Sequence, residues 1–223
     1  MSRPFFSVII PAFNSEKHIR KGLDSIRNQT FTDYELIVVC DSCSDRTEKI
    51  AKEYGAVTYN VDYHLDGLTR NKGIEMATGK WILFMDDDDW FLHEYVFQQL
   101  ADIAGKHNED AIMFSYIDKE RGYIRQDPGN VQVPVWSKCW KSEFIKRFRF
   151  SNRHYWSDCD LQNKVFSATH KFVYWDMPMY YYNFMRSGSQ TQKWHNNELP
   201  KMGGKPPFVA LSEDWRNKKN VNT

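Results

Sequence analysis

Residues 80–90 of the chain are KWILFMDDDDW, a short apolar run that ends in four consecutive aspartates. An apolar run this short, rich in β-forming residues and closed by polar ones, predicts a strand buried on both faces of a sheet. The aspartates would then lie at the carboxyl end of that strand. In an open α/β sheet this end faces the ligand crevice, so the stretch predicts a crevice crowded with negative charge.

Two explanations fit the four aspartates. A hard divalent cation, Mg²⁺ or Mn²⁺, binds carboxylate oxygens and usually takes one or two protein carboxylates together with the phosphates of a substrate. The alternative is a helix N-terminus, where aspartate at the cap and in the first turn is favoured without any ligand. The stretch alone leaves both explanations open.

Upstream of the aspartates, short apolar runs alternate with helical patterns. Residues 5–10, 35–40 and 56–61 predict strands, and we expect Pro11 to end the first of them. Asn14 or Ser15 is the expected cap of the first helix, whose apolar residues recur at spacings of four and three. The resulting β-α-β-α-β-α-β order predicts an α/β fold with a doubly wound, mostly parallel sheet and helices on both faces.

The second half of the chain is less regular. It predicts a helix over 96–104, a strand over 111–116, a loop or irregular hairpin over 118–134, a helix over 158–168 and a strand over 172–175. From residue 187 onward the sequence is polar and contains paired glycines and prolines, which is typical of a tail or lid. We therefore expect one domain over 1–186 and a mobile C-terminal lid or tail over 187–223.

Charge is nearly balanced, at a formal +1, so nothing in the composition calls for nucleic acid as a partner. One stretch is locally basic: residues 138–150, KCWKSEFIKRFRF. It predicts a surface helix with a solvated basic face. The alternative is a docking patch for an anionic acceptor or a membrane surface.

No long apolar segment opens the chain, and its four cysteines are few for a disulfide scaffold of 223 residues. We therefore expect a cytoplasmic protein, with peripheral contact at the inner membrane face if the basic stretch docks there. Cys40 and Cys43 have the spacing of a redox pair, although an aspartate and a serine separate them and no aromatic residue precedes them.

Two familiar phosphate-binding motifs are missing from the sequence: G-x-x-x-x-G-K-[ST], and G-x-G-x-x-G after the first strand. A nucleotide could bind in another way. Asp41, at the end of the second predicted strand, could accept a hydrogen bond from a base, while the loop 11–14 offers backbone groups. With a cation at the aspartates, the crevice could hold a nucleoside diphosphate.

Four ordered blocks of sequence, spread over roughly residues 5–190, resemble one known family. They are SVIIPAFNSE (7–16), LIVVCDSCSD (36–45), TRNKGIEMATGKWILFMDDDDW (69–90) and, more loosely, WSDCDL (156–161) followed by PMYYYNFMRSGSQT (178–191). Together they resemble the inverting family 2 glycosyltransferases of the GT-A fold. The chain departs from the family pattern at Cys43, which interrupts a glycine-serine-threonine turn, and at Ser157, which replaces a glutamate.

The resemblance implies a role for each matching residue. Asp88 would be the main metal ligand, with Asp86 helping, and Asp158 would be the catalytic base, with Asp160 as the alternative. Asp87 would contact the donor sugar or act as a spacer. The implied donor-binding residues are Pro11, Ala12, Phe13, Asn14, Glu16, Asp41, Arg70, Asn71, Asp86, Asp87 and Arg186. Arg186 would clamp the phosphates, unless it is an ordinary surface arginine.

The reaction implied by the resemblance is a single in-line displacement. A sugar would pass with inversion from a nucleotide sugar, UDP-linked by preference, to an acceptor hydroxyl on a glycan or another acceptor. Residues 1–117 would bind the nucleotide sugar and residues 118–186 the acceptor. The alternatives are a nucleotidyltransferase, which also combines paired carboxylates with a metal, and a non-catalytic nucleotide- or carbohydrate-binding module.

Overall fold

The computed structural model describes residues 3–154, 157–184, 192 and 196, which build a mixed α/β structure around one large sheet. The strands are β1 (Phe6–Ala12), β2 (Tyr34–Asp41), β3 (Val57–Val61), β4 (Trp81–Phe84), β5 (Trp90–Phe91), β6 (Ala111–Asp118), β7 (Gly122–Ile124), β8 (Lys138–Lys141) and β9 (Phe172–Tyr182). The helices are α1 (Ile19–Arg27), α2 (Thr47–Glu53), α3 (Asp66–Met76), α4 (Val96–Ile103), α5 (Ser142–Ile145) and α6 (Ser157–Ala168), with a 3₁₀ turn at Val135–Ser137.

Strands in the described part of the chain follow the order β3-β2-β1-β4-β8-β6-β9-β5, with β7 added to β6. The first four are parallel, and the crossovers reverse direction between β3 and β4. Because such crossovers are right-handed, α1 and α2 cover one face of the sheet and α3 the other. The predicted doubly wound α/β arrangement is confirmed, and β8 and β5 extend it with antiparallel pairings.

Pro11 does not end the first strand, as the sequence had predicted, but lies inside β1 opposite Val39 of β2. The pairing of β1 with β4 stops two residues earlier, at Ile9 and Phe84. Since Ile9 and Pro11 face the same side of the strand, the missing N–H of Pro11 falls where β4 offers no partner. A proline is therefore tolerated at this position.

Helix α1 begins later than the predicted cap at Asn14 or Ser15. The turn before it bonds Ile19 N to Ser15 O, at 2.9 Å, and the helix starts only at Ile19. Asn14 adopts a left-handed conformation with φ of 49°. Its side-chain Oδ1 accepts a hydrogen bond from Ser44 N at 2.8 Å, so Asn14 ties the loop after β1 to the loop after β2.

The basic stretch 138–150 is not the single surface helix that its sequence predicted. It divides into β8, which pairs with β4 on one side and β6 on the other, and the short helix α5. Lys138 is fully buried, and Lys146 Nζ bonds to Ala77 O. Arg147 and Arg149 remain exposed, so the predicted patch loses two of its cations to internal contacts.

The region 118–134 contains the irregular hairpin that was one of its two predicted forms, with β7 antiparallel to the end of β6. The proposed nucleotide-binding and acceptor-binding halves share one sheet, because β8 lies between β4 and β6. Most of the predicted tail 187–223 lies outside the described residues. Of the helices that the structure describes, none is long and apolar enough to cross a bilayer.

Helix α3 lies so close to the sheet that only glycine fits at one position. A Cβ built on Gly73 would lie 2.3 Å from Cγ2 of Ile9 in β1, well inside van der Waals contact. Arg70 lies in the same helix, one turn before Gly73. The height of α3 above β1 therefore controls where Arg70 lies.

We expect Gly73→Ala to lower the free energy of unfolding by about 1–3 kcal/mol, the cost of overpacking a tight contact. Urea denaturation measures it. The matched control is Glu75→Ala on the exposed face of the same helix, which should change stability by no more than about 0.5 kcal/mol. Equal stability of the parent and the Gly73 variant would contradict the close approach.

Candidate functional site

The four aspartates after β4 form a turn, called here the acidic turn (Asp86–Asp89), and their carboxylates go to different places. Asp89 is fully buried and accepts hydrogen bonds from Tyr180 Oη and Asn183 N, each at 2.8 Å. Asp86 and Asp88 are half-buried. No helix begins at this turn, because β5 follows it directly and α4 starts only at Val96. The helix-cap explanation of the aspartates is therefore wrong.

Asp87 is directed back toward the loop after β1. Its Oδ2 accepts a hydrogen bond from Phe13 N at 3.2 Å and another from Ser15 Oγ. Burial, with the neighbouring charge of Asp88, raises the pKa of Asp87 to about 7. Asp87 thus joins the acidic turn to the loop that precedes α1, and its contact with a donor sugar stays a prediction.

The acidic turn also rests directly on α1. A Cβ built on Gly22 would lie 2.6 Å from Cε of Met85 and 2.7 Å from the backbone oxygen of Asp89. Only a residue without a side chain allows the helix to approach the turn this closely. The turn is therefore fixed from the sheet side by Tyr180 and from the helix side by Gly22.

Arg70 connects the acidic turn to helix α6. Its Nη2 donates to Asp86 Oδ1 at 2.7 Å, and its Nη1 lies 3.7 Å from Asp158 Oδ1. Burial alone would lower the pKa of Arg70, but the carboxylates of Asp86 and Asp158 hold it above its ordinary value. Its buried Nε has no hydrogen-bond partner among the described residues. The guanidinium is therefore a permanent cation between two carboxylates.

Asp158 and Asp160, the two candidate bases, lie in the first turn of α6 and face different surroundings. Asp158 Oδ2 accepts a hydrogen bond from Val135 N at 3.0 Å, and burial raises the pKa of this carboxyl above its usual range. Asp160 Oδ2 instead accepts from Ser151 Oγ at 2.6 Å and lies 3.3 Å from Arg153 Nε. Of the two, Asp158 is the one beside Arg70 and the acidic turn.

Asp41, at the end of β2, anchors the segment before α3. Its Oδ1 accepts from the backbone N–H groups of Tyr63 and His64, at 2.8 and 3.0 Å. Its Oδ2 accepts from Leu65 N at 3.1 Å and from Thr69 Oγ1 at 2.8 Å. Burial would raise the pKa of Asp41, but these four hydrogen bonds hold it below its ordinary value. The sequence had not predicted this anchoring role.

The other predicted donor-binding residues divide into two groups. Pro11 and Ala12 are buried in β1, and Phe13, beside Asp87, is 57% exposed. Asn14, Glu16 and Asn71 hold backbone in place. Glu16 accepts from Arg46 N at 3.1 Å, and Asn71 exchanges two hydrogen bonds with the backbone of Phe150, at 2.9 and 3.0 Å. Arg186 lies outside the described residues.

Tyr180 is a site residue that the sequence interpretation missed. Its hydroxyl accepts a hydrogen bond from Asp86 N at 3.0 Å and donates to Asp89, and its ring stacks on Trp136 at a centroid distance of 4.5 Å. The run of three tyrosines in the fourth sequence block was the available signal. Nothing local to that run indicates which tyrosine reaches across 94 residues to the acidic turn.

The residues around Asp86 and Asp88 suit a divalent cation that also binds phosphate. No group of three or more His, Cys, Asp or Glu side chains in the described part of the chain could hold a metal by itself. The two half-buried carboxylates offer hard oxygen ligands and leave the remaining positions to a substrate. This ligand set fits Mg²⁺ or Mn²⁺, which usually bind through one or two carboxylates and substrate phosphates.

Comparison with known proteins gives consistent results. The model of "Glycosyl transferase family 2" matches residues 7–168. Glycosyltransferase GlyA of Streptococcus pneumoniae is 30% identical over 84% of this chain, and the match spans only 32% of GlyA, about a third of its length.

Solved structures show the same fold. TarS 1–349 of S. aureus in complex with UDP-GlcNAc superposes with a TM-score of 0.76 at 21% identity, covering 84% of this chain and 60% of that chain. The mannosyltransferase PcManGT of Pyrobaculum calidifontis, in complex with GDP-Man and Mn²⁺, superposes with a TM-score of 0.73 at 14% identity, covering 99% and 71%. The family match extends over most of the sheet and includes the acidic turn, Arg70 and Asp158, and this chain belongs to glycosyl transferase family 2.

Proposed function

We propose that the protein transfers a sugar, with inversion, from a nucleotide diphosphate sugar to an acceptor hydroxyl. The observation that carries the proposal is the position of Arg70. One guanidinium reaches both Asp86, in the turn that would face the diphosphate, and Asp158, the candidate base. A module that only binds a nucleotide would need the carboxylate of Asp86 but has no use for the second, half-buried carboxylate of Asp158 beside the same guanidinium.

In the proposed reaction, Asp158 accepts the proton of the acceptor hydroxyl as its oxygen attacks the anomeric carbon. A new carbon–oxygen bond forms, and the bond from that carbon to the diphosphate breaks on the opposite face. Its electron pair leaves with the nucleoside diphosphate. Asp158 suits this step because burial raises the pKa of its carboxyl, which makes the carboxylate a stronger base.

Asp88, assisted by Asp86, would hold a divalent cation in this proposal. When bound, Mg²⁺ or Mn²⁺ supplies positive charge against the charge that grows on the leaving diphosphate. Arg70 adds a cation that the protein itself fixes in place beside Asp86. UDP-linked sugars are the first donors to test, since the TarS structure was solved with UDP-GlcNAc.

The acceptor in this proposal is a hydroxyl of a glycan or of another hydroxyl-bearing compound. Donor assays separate the proposal from a nucleotidyltransferase, because transfer or hydrolysis of a UDP-sugar releases UDP, whereas nucleotidyl transfer from UTP releases pyrophosphate. Release of pyrophosphate from UTP, with no UDP from any nucleotide sugar, would overturn the proposal.

The first prediction tests the base. Asp158→Asn removes the proton acceptor, so kcat should fall at least about 10²-fold, while the Kd for UDP should stay within about twofold. Steady-state transfer or donor hydrolysis and calorimetric UDP titration measure the two quantities. Asp160→Asn is the matched control, since it changes the neighbouring carboxylate that faces Ser151. The assignment is wrong if the control loses activity and Asp158→Asn keeps it.

The second prediction tests the cation. Parent protein should bind UDP more tightly with Mn²⁺ than with EDTA, and Asp88→Asn should lose this enhancement, because an amide keeps the shape of the side chain without its charge. Asp102→Asn, a surface aspartate on α4, is the control and should retain the enhancement. If Mn²⁺ tightens UDP binding equally in the Asp88 variant, the ion is held elsewhere.

The third prediction concerns the base-binding side. Asp41→Ala releases the segment 63–65 and leaves three backbone N–H groups without their acceptor, so it should cost about 1–3 kcal/mol of stability. Affinity for UDP should fall about tenfold, or ~1.4 kcal/mol. Binding of pyrophosphate with Mn²⁺ should not change, since it has no base. Equal losses for the two ligands would place Asp41 at the phosphate side instead.

A further inference from the structure

The backbone segment that bonds to Asp158 is itself held by buried polar side chains. We call residues 132–135 the base-holding segment, because its last residue, Val135, donates its N–H to Asp158 Oδ2 at 3.0 Å. In the chain the segment leads into the 3₁₀ turn and β8, and its hydrogen bonds connect it to α6. Its position determines where the hydrogen bond to Asp158 points.

Lys138, at the start of β8, bonds to this segment from inside the protein. The residue is fully buried, and its Nζ donates to Gln132 O at 2.6 Å, to Pro134 O at 2.9 Å and to Ser137 Oγ at 3.1 Å. From the α6 side, Gln162 Nε2 donates to Val133 O at 3.0 Å. Three successive carbonyls are therefore fixed by side chains, and the next N–H holds Asp158.

Burying the ammonium group of Lys138 costs free energy. Removing it from water is unfavourable unless hydrogen bonds and opposite charge compensate, and burial lowers the pKa of Lys138 to about 7. A methionine would occupy nearly the same volume without that cost. What lysine adds at this position is three directed hydrogen bonds and a positive charge, and both act on the surroundings of Asp158.

We propose that Lys138 is a positioning residue for Asp158: its ammonium group fixes the base-holding segment, and its charge favours the ionised, proton-accepting form of that carboxylate. This inference rests on the proposed function, because it takes Asp158 to be the base. Lys138 itself touches no reacting atom in the proposal. It acts through Val135 N–H and through its charge.

The charge of Lys138 should be visible in the pH dependence of the reaction. The charged and titratable groups facing Asp158 are Arg70 and Asp66 of α3, Asp86 of the acidic turn, Lys138 of β8, and Cys159 and Asp160 of its own helix. Below about pH 7 Lys138 is protonated and lowers the pKa of Asp158. Without this charge the pKa of Asp158 rises, so the acidic limb of the kcat/KM profile should move to higher pH.

Two variants of the full chain separate the two contributions. Lys138→Met keeps the volume but removes both the hydrogen bonds and the charge, whereas Lys138→Gln removes the charge and keeps an amide that can donate two hydrogen bonds. Cys139→Ala is the matched control, since Cys139 is the next buried residue of β8 and makes no contact with the base-holding segment in the hydrogen bonds described.

We expect Lys138→Met to lower kcat about 10- to 100-fold, the scale of a misplaced catalytic group, with the donor KM within about twofold of the parent. Lys138→Gln should recover part of that kcat. Both variants should shift the acidic limb upward, and Cys139→Ala should leave it in place. Steady-state kinetics from pH 5 to pH 9, UDP affinity and melting temperature are measured for all four proteins.

Parent-like kcat and an unmoved acidic limb in Lys138→Met would overturn the inference. So would equal losses of kcat and melting temperature in Lys138→Met and Cys139→Ala with unmoved limbs, since that result describes a structural residue only. If Lys138→Met fails to bind UDP or to fold, the limb and kcat of Lys138→Gln decide by the same criteria. If the parent protein turns over no nucleotide sugar, the proposed function is wrong. If the parent is active and the Lys138 variants match it, only the role of Lys138 is wrong.

Discussion

The arrangement of the site depends on one buried cation held between carboxylates. Only 9% of the Arg70 side chain is exposed, and its guanidinium contacts both Asp86 and Asp158. Two carboxylates this close to a common point would repel one another without it, and a buried guanidinium without them would be strongly disfavoured. The close approach of α3 to β1 at Gly73 fixes the height of Arg70 above the sheet. The positions of β1, of α3 and of these three charged side chains therefore depend on one another.

The same logic explains why four adjacent aspartates do not simply repel each other apart. Asp86 is paired with the Arg70 guanidinium, Asp89 accepts hydrogen bonds from the Tyr180 hydroxyl and the Asn183 N–H, and Asp87 accepts them from the loop after β1. Burial, with the charge of Asp88, raises the pKa of both Asp89 and Asp87, which disfavours their charged forms. Each neighbour comes from a different part of the chain. Four residues that look alike in the sequence therefore have different surroundings in the structure, and Asp86 and Asp88 are the two proposed to hold the cation.

Much of this fold could be predicted from the sequence, because the N-terminal strands are short apolar runs buried on both faces and alternate with amphipathic helices. The acidic turn could be located from its local pattern, whereas Asp158 was identified through the resemblance of its sequence block to the family. The interpretation failed at β8, where basic residues indicated a solvated helix and Lys138 is in fact buried in a central strand. Local composition cannot show that distant carbonyls will compensate a buried charge. For the same reason it did not reveal the role of Tyr180 or the anchoring by Asp41.

The contact of α1 with the acidic turn limits how this site can be altered. Because Gly22 leaves no room between the helix and the backbone of Asp89, any side chain added there would push on the turn that holds Asp86 and Asp88. A library that varies the aspartates but keeps glycine at position 22 leaves the backbone of the acidic turn in place and changes only its side chains. A library that also varies residue 22 would instead sample the separation between the acidic turn and Asp158, the two sides of the proposed site.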